Sequence, residues 1–329
     1  MFCSCGRRVQ LFKFLKESLG NNCQIIATDN SEIAPALYVA DKRYLVPRID
    51  SEGYIEKVLE IAKNNDVKAI TTLIDPEIEI LAANRDFFLQ NGIIPLCPSK
   101  ETAALCFDKY KMYKYLKSKG IRTVLSYDNL NDLKVGLGKG EISFPVFIKP
   151  RTGSGSVGIH KVENIEELEA YLNEGKYDYI IQEFMDCRDC DADVYIDCFS
   201  HKPVAIFSKN KLETKIGGAS KTISFKDEKL FKFVEEICEV LEFNGPVDMD
   251  FWYRDGEYYL SEVNPRFGGA YLHAYGAGVD FFQLIKNNME GKTNNSIIGN
   301  YDEDVLMMMY DGVVIVPKSE LAENIKISE

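Results

Sequence analysis

Apolar positions in the first hundred residues recur in two alternating rhythms. Short runs at Met1–Cys5, Gln24–Thr28, Tyr44–Val46, Ala69–Leu73 and Ile93–Leu96 have the length and composition of strands. Between them the period lengthens: Val9, Leu11, Phe12, Leu15 and Leu19 share one face of a helix, and Tyr54–Asn65 is amphipathic. A further helix opens at Asp75-Pro76-Glu77. Strands alternating with helices predict parallel βαβ units with helices on both faces. The first strand is short for such a fold, with its turn glycine already at Gly6. Either the strand itself is short or the start lies upstream.

The rhythm changes after residue 100. A connecting helix is predicted over 101–125, with Tyr110, Tyr113 and Leu116 at helical spacing and an end near Gly120. Pro145–Lys149 is a strand, followed by a glycine- and serine-rich turn, a helix at Ile165–Asn173 and a strand at Tyr179–Glu183. Then strands follow one another, at Ala192–Phe199, Val204–Ser208, Val247–Tyr253 and Glu257–Glu262, with one helix interposed at Lys229–Leu241. Asp255-Gly256 is a strong hairpin turn. The predicted class is thus α/β followed by a largely antiparallel α+β region, divided as 1–100, 101–185 and 186–329.

Composition narrows the function. The 329 residues are 46% hydrophobic and 27% charged, ordinary for a globular protein, with a formal net charge of -12. That balance argues against nucleic-acid binding, which calls for a basic face. No signal-peptide pattern and no membrane-spanning apolar run is present, so a cytoplasmic protein without a membrane partner is expected. Nine cysteines are scattered. Cys187 and Cys190 form a CxxC with no second pair, so free thiols are expected over a zinc site. His160, His201 and His273 carry no motif.

Two segments carry chemistry. In the first, Lys149 ends a buried strand and Thr152–Gly158 follows with three glycines and two serines. Such backbone can approach phosphate oxygens, and the lysine adds a point charge. The spacing is neither a P-loop nor a dinucleotide fingerprint, and a plain glycine-rich hairpin remains open. The second segment runs from Asp248 to Gly269. Period-two alternation puts Asp248 and Asp250 on one face, and likewise Glu262 and Asn264, with the hairpin bringing Asp250 beside Glu262. Such oxygen ligands suit a hard cation, with a solvated acidic hairpin as the other reading. A third segment, Tyr179 to Met185, is an apolar strand ending in Gln182, Glu183 and Phe184.

Taken in order, FPVFIKP, the glycine-rich turn and SEVNPRFGG resemble the ATP-grasp superfamily, most of all single-module relatives of the carbamoyl-phosphate synthase large subunit. Gly6-Arg7-Arg8, Thr28-Asp29, Ala40-Asp41 and Ile74-Asp75-Pro76-Glu77 look like the Rossmann-like pre-ATP-grasp domain of these relatives. The resemblance implies a two-lobed ATP-grasp fold behind that domain and an ATP site. Lys109 and Lys149 would meet the phosphates, and Gly153, Ser154, Gly155, Ser156 and Gly158 would form a flap over them. Glu183, Phe184 and Met185 would form the hinge at the adenine, and Asp189 would meet the ribose, although Cys187-Arg188 stands where a glycine is common. Asp250, Glu262 and Asn264 would hold magnesium (or manganese), and Arg266 would face the transferred phosphoryl group. The implied activity is a carboxylate–amine ligase acting on small molecules through an acyl phosphate. A kinase-like enzyme and a non-catalytic nucleotide-binding module are the rival readings, and a homodimer is compatible with the chain. Arg7, Arg8 and Glu77 are candidates for substrate contact.

Overall fold

The computed structural model describes residues 1–321 apart from Ser154, Ser156, Ile216 and Gly217. The first domain comprises β1 (Phe2–Cys3), α1 (Val9–Leu19), β2 (Ile26–Asp29), β3 (Lys42–Leu45), α2 (Tyr54–Asn64), β4 (Ala69–Thr72), α3 (Ile78–Ala83), α4 (Arg85–Gln90) and β5 (Ile94–Pro95). Its strands form a parallel sheet in the order β3-β2-β1-β4-β5. The order reverses between β1 and β4. In doubly wound sheets that switch point opens a crevice at the carboxyl ends of the strands. β1 is short because the chain turns out of the sheet at once: Ser4 and Gly6 adopt φ of 47° and 49°.

α5 (Lys100–Phe107) and α6 (Lys109–Ser118) follow, where one helix was expected. The break is Asp108, whose extended backbone ends α5 and whose carboxylate accepts from the N–H groups of Tyr110 and Lys111 to cap α6. A small lobe is then built from β6 (Ser126–Tyr127), α7 (Leu130–Lys139), β7 (Val146–Pro150), β8 (His160–Val162), α8 (Ile165–Glu174) and β9 (Tyr179–Glu183). Its four strands are antiparallel in the order β6-β9-β7-β8.

The large lobe holds β10 (Arg188–Ile196), β11 (Pro203–Lys215), β12 (Gly218–Phe225), α9 (Glu228–Val240), β13 (Gly245–Arg254), β14 (Glu257–Asn264), α10 (Tyr271–Gly276), α11 (Phe281–Met289) and β15 (Leu306–Met308). The antiparallel order is β14-β13-β10-β11-β12-β15. Three apolar cores result. One belongs to the small lobe, around Leu133, Val146, Ile148 and Leu168. A second lies within the parallel domain, around Val58, Ile70 and Phe88. The largest is shared, joining Phe2, Phe12 and Leu15 to Phe267, Tyr271 and Phe281. No helix among the described residues is long and apolar enough to cross a membrane.

Candidate active site

The hairpin β13–β14 turns at Asp255 and Gly256, both in the left-handed region with φ of 53° and 81°. That turn pairs the strands as far as Phe251 and Leu260; a one-residue bulge at Ser261 then shifts the register, setting Asp250 opposite Glu262 and Asp248 opposite Asn264. On the other side of β13, Asp250 faces Asp191 and Asp248 faces Asp193 across to β10. β11 completes the row, with Lys209 opposite Asp191. Because side chains alternate, all of these stand on one face of the sheet.

That face is a ladder of alternating charge. Lys209 is completely buried and meets Asp193 at 2.5 Å and Asp191 at 3.0 Å. Lys211, one pleat along, bridges Asp189 at 2.9 Å and Asp250 at 2.5 Å. Carboxylates this deep are tolerable only when matched by cations. Burial pushes the Asp191 carboxyl up to about 6 against the pull of Lys209 and Lys211. Burial, reinforced by Asp250 and Asp193, drives the Asp248 carboxyl well above the usual carboxylate range. Burial acts on Asp250 in the same direction, but Lys211, joined by Lys209 and Lys149, holds that carboxyl below its ordinary value. Neither lysine, nor Asp191 or Asp193, emerged from sequence reasoning. The signal was there in Asp189-x-Asp191-x-Asp193 and Lys209-x-Lys211, both at strand period.

Asp250, Glu262 and Asn264 are thereby brought together at one end of the ladder. Among the described residues, no group of three or more His, Cys, Asp and Glu side chains is disposed to hold a metal. Two carboxylates and an amide still fit a hard cation, which keeps waters and substrate phosphates in its shell.

β7 of the small lobe and α6 each supply a cation facing these ligands. Lys149 is buried, and no carboxylate among the described residues is ion-paired with it. Burial pulls its ammonium below the usual range; Glu262 and Asp250 oppose that, and Lys109 and Lys211 add to it. A buried, uncompensated ammonium is a good receptor for an anion. Lys109 opens α6, donates to the Gly153 carbonyl at 2.7 Å and stands 3.8 Å from Glu262. Its own N–H donates to the Arg151 carbonyl at 3.0 Å, and the Arg151 guanidinium donates to Asp108 at 2.9 Å. The cap of α6 therefore also fixes the root of the glycine-rich turn. There Gly153, Gly155 and Gly158 take φ of 104°, 78° and 73°, so each needs glycine's freedom. Ser154 and Ser156 lie outside the described residues.

The hinge residues follow β9. The Glu183 N–H donates to the Leu125 carbonyl at 2.9 Å, and its carboxylate is held by Arg254. Phe184 lies beneath the Lys161 ammonium at 4.8 Å, and Met185 is buried. Asp189 is engaged with Lys211 rather than free. The nine cysteines are free, as expected, with Cys190 buried and Cys187 half-buried.

Arg266 closes the cleft from below. Its Nε stands 2.7 Å from Asp75, its Nη2 donates to the same carboxylate at 2.9 Å, and its Nη1 donates to the Phe267 carbonyl at 3.0 Å. Arg8, at the switch point of the parallel sheet, donates to the Phe267 and Gly268 carbonyls at 2.7 and 2.9 Å. Burial, with Arg266 nearby, pulls the Arg8 guanidinium down to about 10. Arg7 is exposed, and Glu77 is fully buried against Tyr54 and Thr72.

Comparison with known proteins covers most of the chain. Residues 1–96 match the PylC-like N-terminal domain and residues 106–270 match the ATP-grasp domain. The arginine-specific carbamoyl phosphate synthase large chain of Geobacillus stearothermophilus is 22% identical over 303 residues, covering 89% of this chain. This chain spans only 28% of that protein's length. D-alanine–D-alanine ligase B of Clostridium perfringens is 30% identical over 244 residues, covering 66% of this chain and 78% of the ligase. Among solved structures, the biotin carboxylase domain dimer of the Hydrogenobacter thermophilus 2-oxoglutarate carboxylase, in complex with MgADP, ADP and bicarbonate, superposes with a TM-score of 0.73. It is 19% identical and covers 93% of this chain and 72% of its own.

Proposed function

The chain belongs to the ATP-grasp family, and we propose that it is a ligase that activates a small carboxylate as an acyl phosphate and passes it to an amine. One observation carries this reading: Lys109 and Lys149 of one lobe face the oxygen ligands Asp250, Glu262 and Asn264 of the other across a single cleft. Cations on one wall and metal ligands on the other suit a polyphosphate bridged by magnesium. In this reading the division at 1–100, 101–185 and 186–329 is functional, with the nucleotide between the second and third parts.

Asp250, Glu262 and Asn264 would hold magnesium, which neutralises phosphate oxygens when bound. Lys109 and Lys149 would bind the phosphates, and the Gly153–Gly158 turn would cover them and exclude water. Glu183, Phe184 and Met185 would border the adenine, with Asp189 toward the ribose. The substrate carboxylate oxygen attacks the terminal phosphorus and ADP leaves; Arg266 would stabilise the charge that develops on the phosphoryl oxygens. The amine then attacks the acyl carbon and phosphate departs. The alternation of one ATP-grasp unit behind a parallel domain supports a likeness to one half of a carbamoyl phosphate synthase, and small-molecule substrates.

The test is a screen of amino acids and small acids, alone and in pairs, for ATP- and magnesium-dependent ADP release. With the correct carboxylate and hydroxylamine, a hydroxamate should form without the amine, and Arg266→Ala should abolish it. AMP and pyrophosphate as products with the correct substrate pair would overturn the acyl-phosphate reading.

A further inference from the structure

The Arg266–Asp75 contact joins two parts of the chain that are far apart in sequence. Asp75 opens the 3-10 turn Asp75–Glu77, directly after β4 of the parallel domain. That turn is anchored from beneath, because the buried Glu77 carboxylate accepts from Thr72 at 2.6 Å and from Tyr54. Asp75 therefore presents its carboxylate from a fixed backbone, and it lines the same cleft as Glu262 and Asn264.

A guanidinium is a rigid planar fork with two edges able to meet an oxyanion in pairs. Asp75 accepts from Nη2 of Arg266 at 2.9 Å, with its other oxygen 2.7 Å from Nε but not hydrogen-bonded to it, and the Phe267 carbonyl takes Nη1 at 3.0 Å. These contacts hold both terminal nitrogens, each of which carries a second N–H. The next carboxylate is Asp248, 3.9 Å from Nη1 and two residues before the metal ligand Asp250. An Arg266 released from Asp75 has that carboxylate to turn to. We infer that Asp75 is a positioning residue: it holds the Arg266 guanidinium in the orientation that meets the terminal phosphoryl oxygens of the nucleotide. The inference rests on the ATP-grasp reading of the cleft and adds to it that the parallel domain sets the geometry of phosphoryl recognition.

The measurement is calorimetric binding of MgADP and of magnesium with a non-hydrolysable ATP analogue. It is made on the wild type, Asp75→Asn, Arg266→Ala and the double variant. Asp75→Asn should weaken the analogue roughly five- to tenfold, the loss of one charge-assisted contact, and leave MgADP nearly unchanged. The double variant should bind the analogue no more weakly than Arg266→Ala alone. Should Asp75→Asn fail to fold, Asp75→Ser carries the same comparison. Equal losses for both nucleotides, additive losses in the double variant, or tighter analogue binding by Asp75→Asn would each overturn the inference. A wild-type protein that binds neither nucleotide removes the functional reading, and this inference with it. Binding of both with no change in Asp75→Asn removes the inference alone.

Discussion

At the scale of single residues, the cleft is organised by charges held out of water. Asp250 must be ionised to hold a cation, yet its burial and its neighbour Asp248 oppose that. Lys211, 2.5 Å away, supplies the compensation and keeps the Asp250 carboxyl below its ordinary value. Replacing Lys211 by Met removes the counter-charge while burial remains, so the Asp250 carboxyl must rise. Magnesium-dependent nucleotide binding needs the charged form. It should therefore fail at a higher pH in Lys211→Met than in the wild type as the solution is acidified. Binding titrations from about pH 8 down through and below the ordinary carboxylate range, about pH 4, check this. An acidic limb at the same pH in both proteins would show that Lys211 does not set the charge of Asp250. Gly268 belongs to the same reasoning about close quarters: a Cβ there would stand 2.6 Å from Asp193 Oδ1 and 2.9 Å from Asp248. The ladder is packed so tightly that only glycine fits beside it.

At the scale of elements, what could be read from the sequence depended on how local the determining signal was. The hairpin at Asp255-Gly256 was legible from its turn residues, and with it the nearness of Asp250 and Glu262, whereas the bulge at Ser261 that sets the two directly opposite was not. The parallel sheet was legible from alternating periods, although β1, β2, β4 and β5 are shorter than their apolar runs and β3 begins two residues before its own. β12 was not: Thr222 and Ser224 are buried polar residues that look exposed in sequence, and they are inside because β11 and β15 flank them. α7 was hidden by Gly136, which lies so close to Tyr127 that a Cβ would meet the phenol oxygen at 2.2 Å. The ion ladder was unreadable as a pairing, since Lys209 and Asp191 meet only once β10 and β11 are in register. The break at Asp108 has the same character: its side chain serves α6 and Arg151 at once. Two substitutions separate those roles. Asp108→Asn keeps a good helix cap and loses the charge facing Arg151, whereas Asp108→Ala loses both. Asp108→Ala should cost about 1–2 kcal/mol in denaturant unfolding, and Asp108→Asn clearly less. Both should weaken ATP, because Lys109 and the root of the glycine-rich turn lose their common anchor. Unchanged nucleotide affinity in Asp108→Asn would confine the residue to helix capping.

At the scale of the whole molecule, the three sequence segments do not correspond to three equally independent bodies. The parallel domain and the large lobe are joined by a common core: Phe2 stacks toward Phe267 at 6.2 Å, and Phe14 lies on Tyr275 at 4.6 Å. Arg8 and Ser18 add hydrogen bonds from α1 and its entry to Phe267, Gly268 and Asp280. The small lobe has its own core and reaches the large one through few links. These include the bridge between Thr123 and Leu260, the Glu183–Arg254 pair and the Lys109–Glu262 contact. Units that bury separate apolar surface open separately. Amides of β7 and β9 should thus exchange with solvent hydrogen through a lower-energy opening than those of β1, β4, β10 and β13, which should share one. The nucleotide would contact both lobes, so it should stabilise the protein by about 2.7 kcal/mol at a hundredfold excess over Kd. The gain in protection should fall most heavily on the small lobe, the body with the weaker prior attachment. Native-state hydrogen exchange with and without a magnesium-bound ATP analogue measures both effects. A single opening free energy across all three segments would show that the small lobe is not a separate unit. Added protection spread evenly over the molecule would place the nucleotide's stabilising contacts outside the cleft between the lobes.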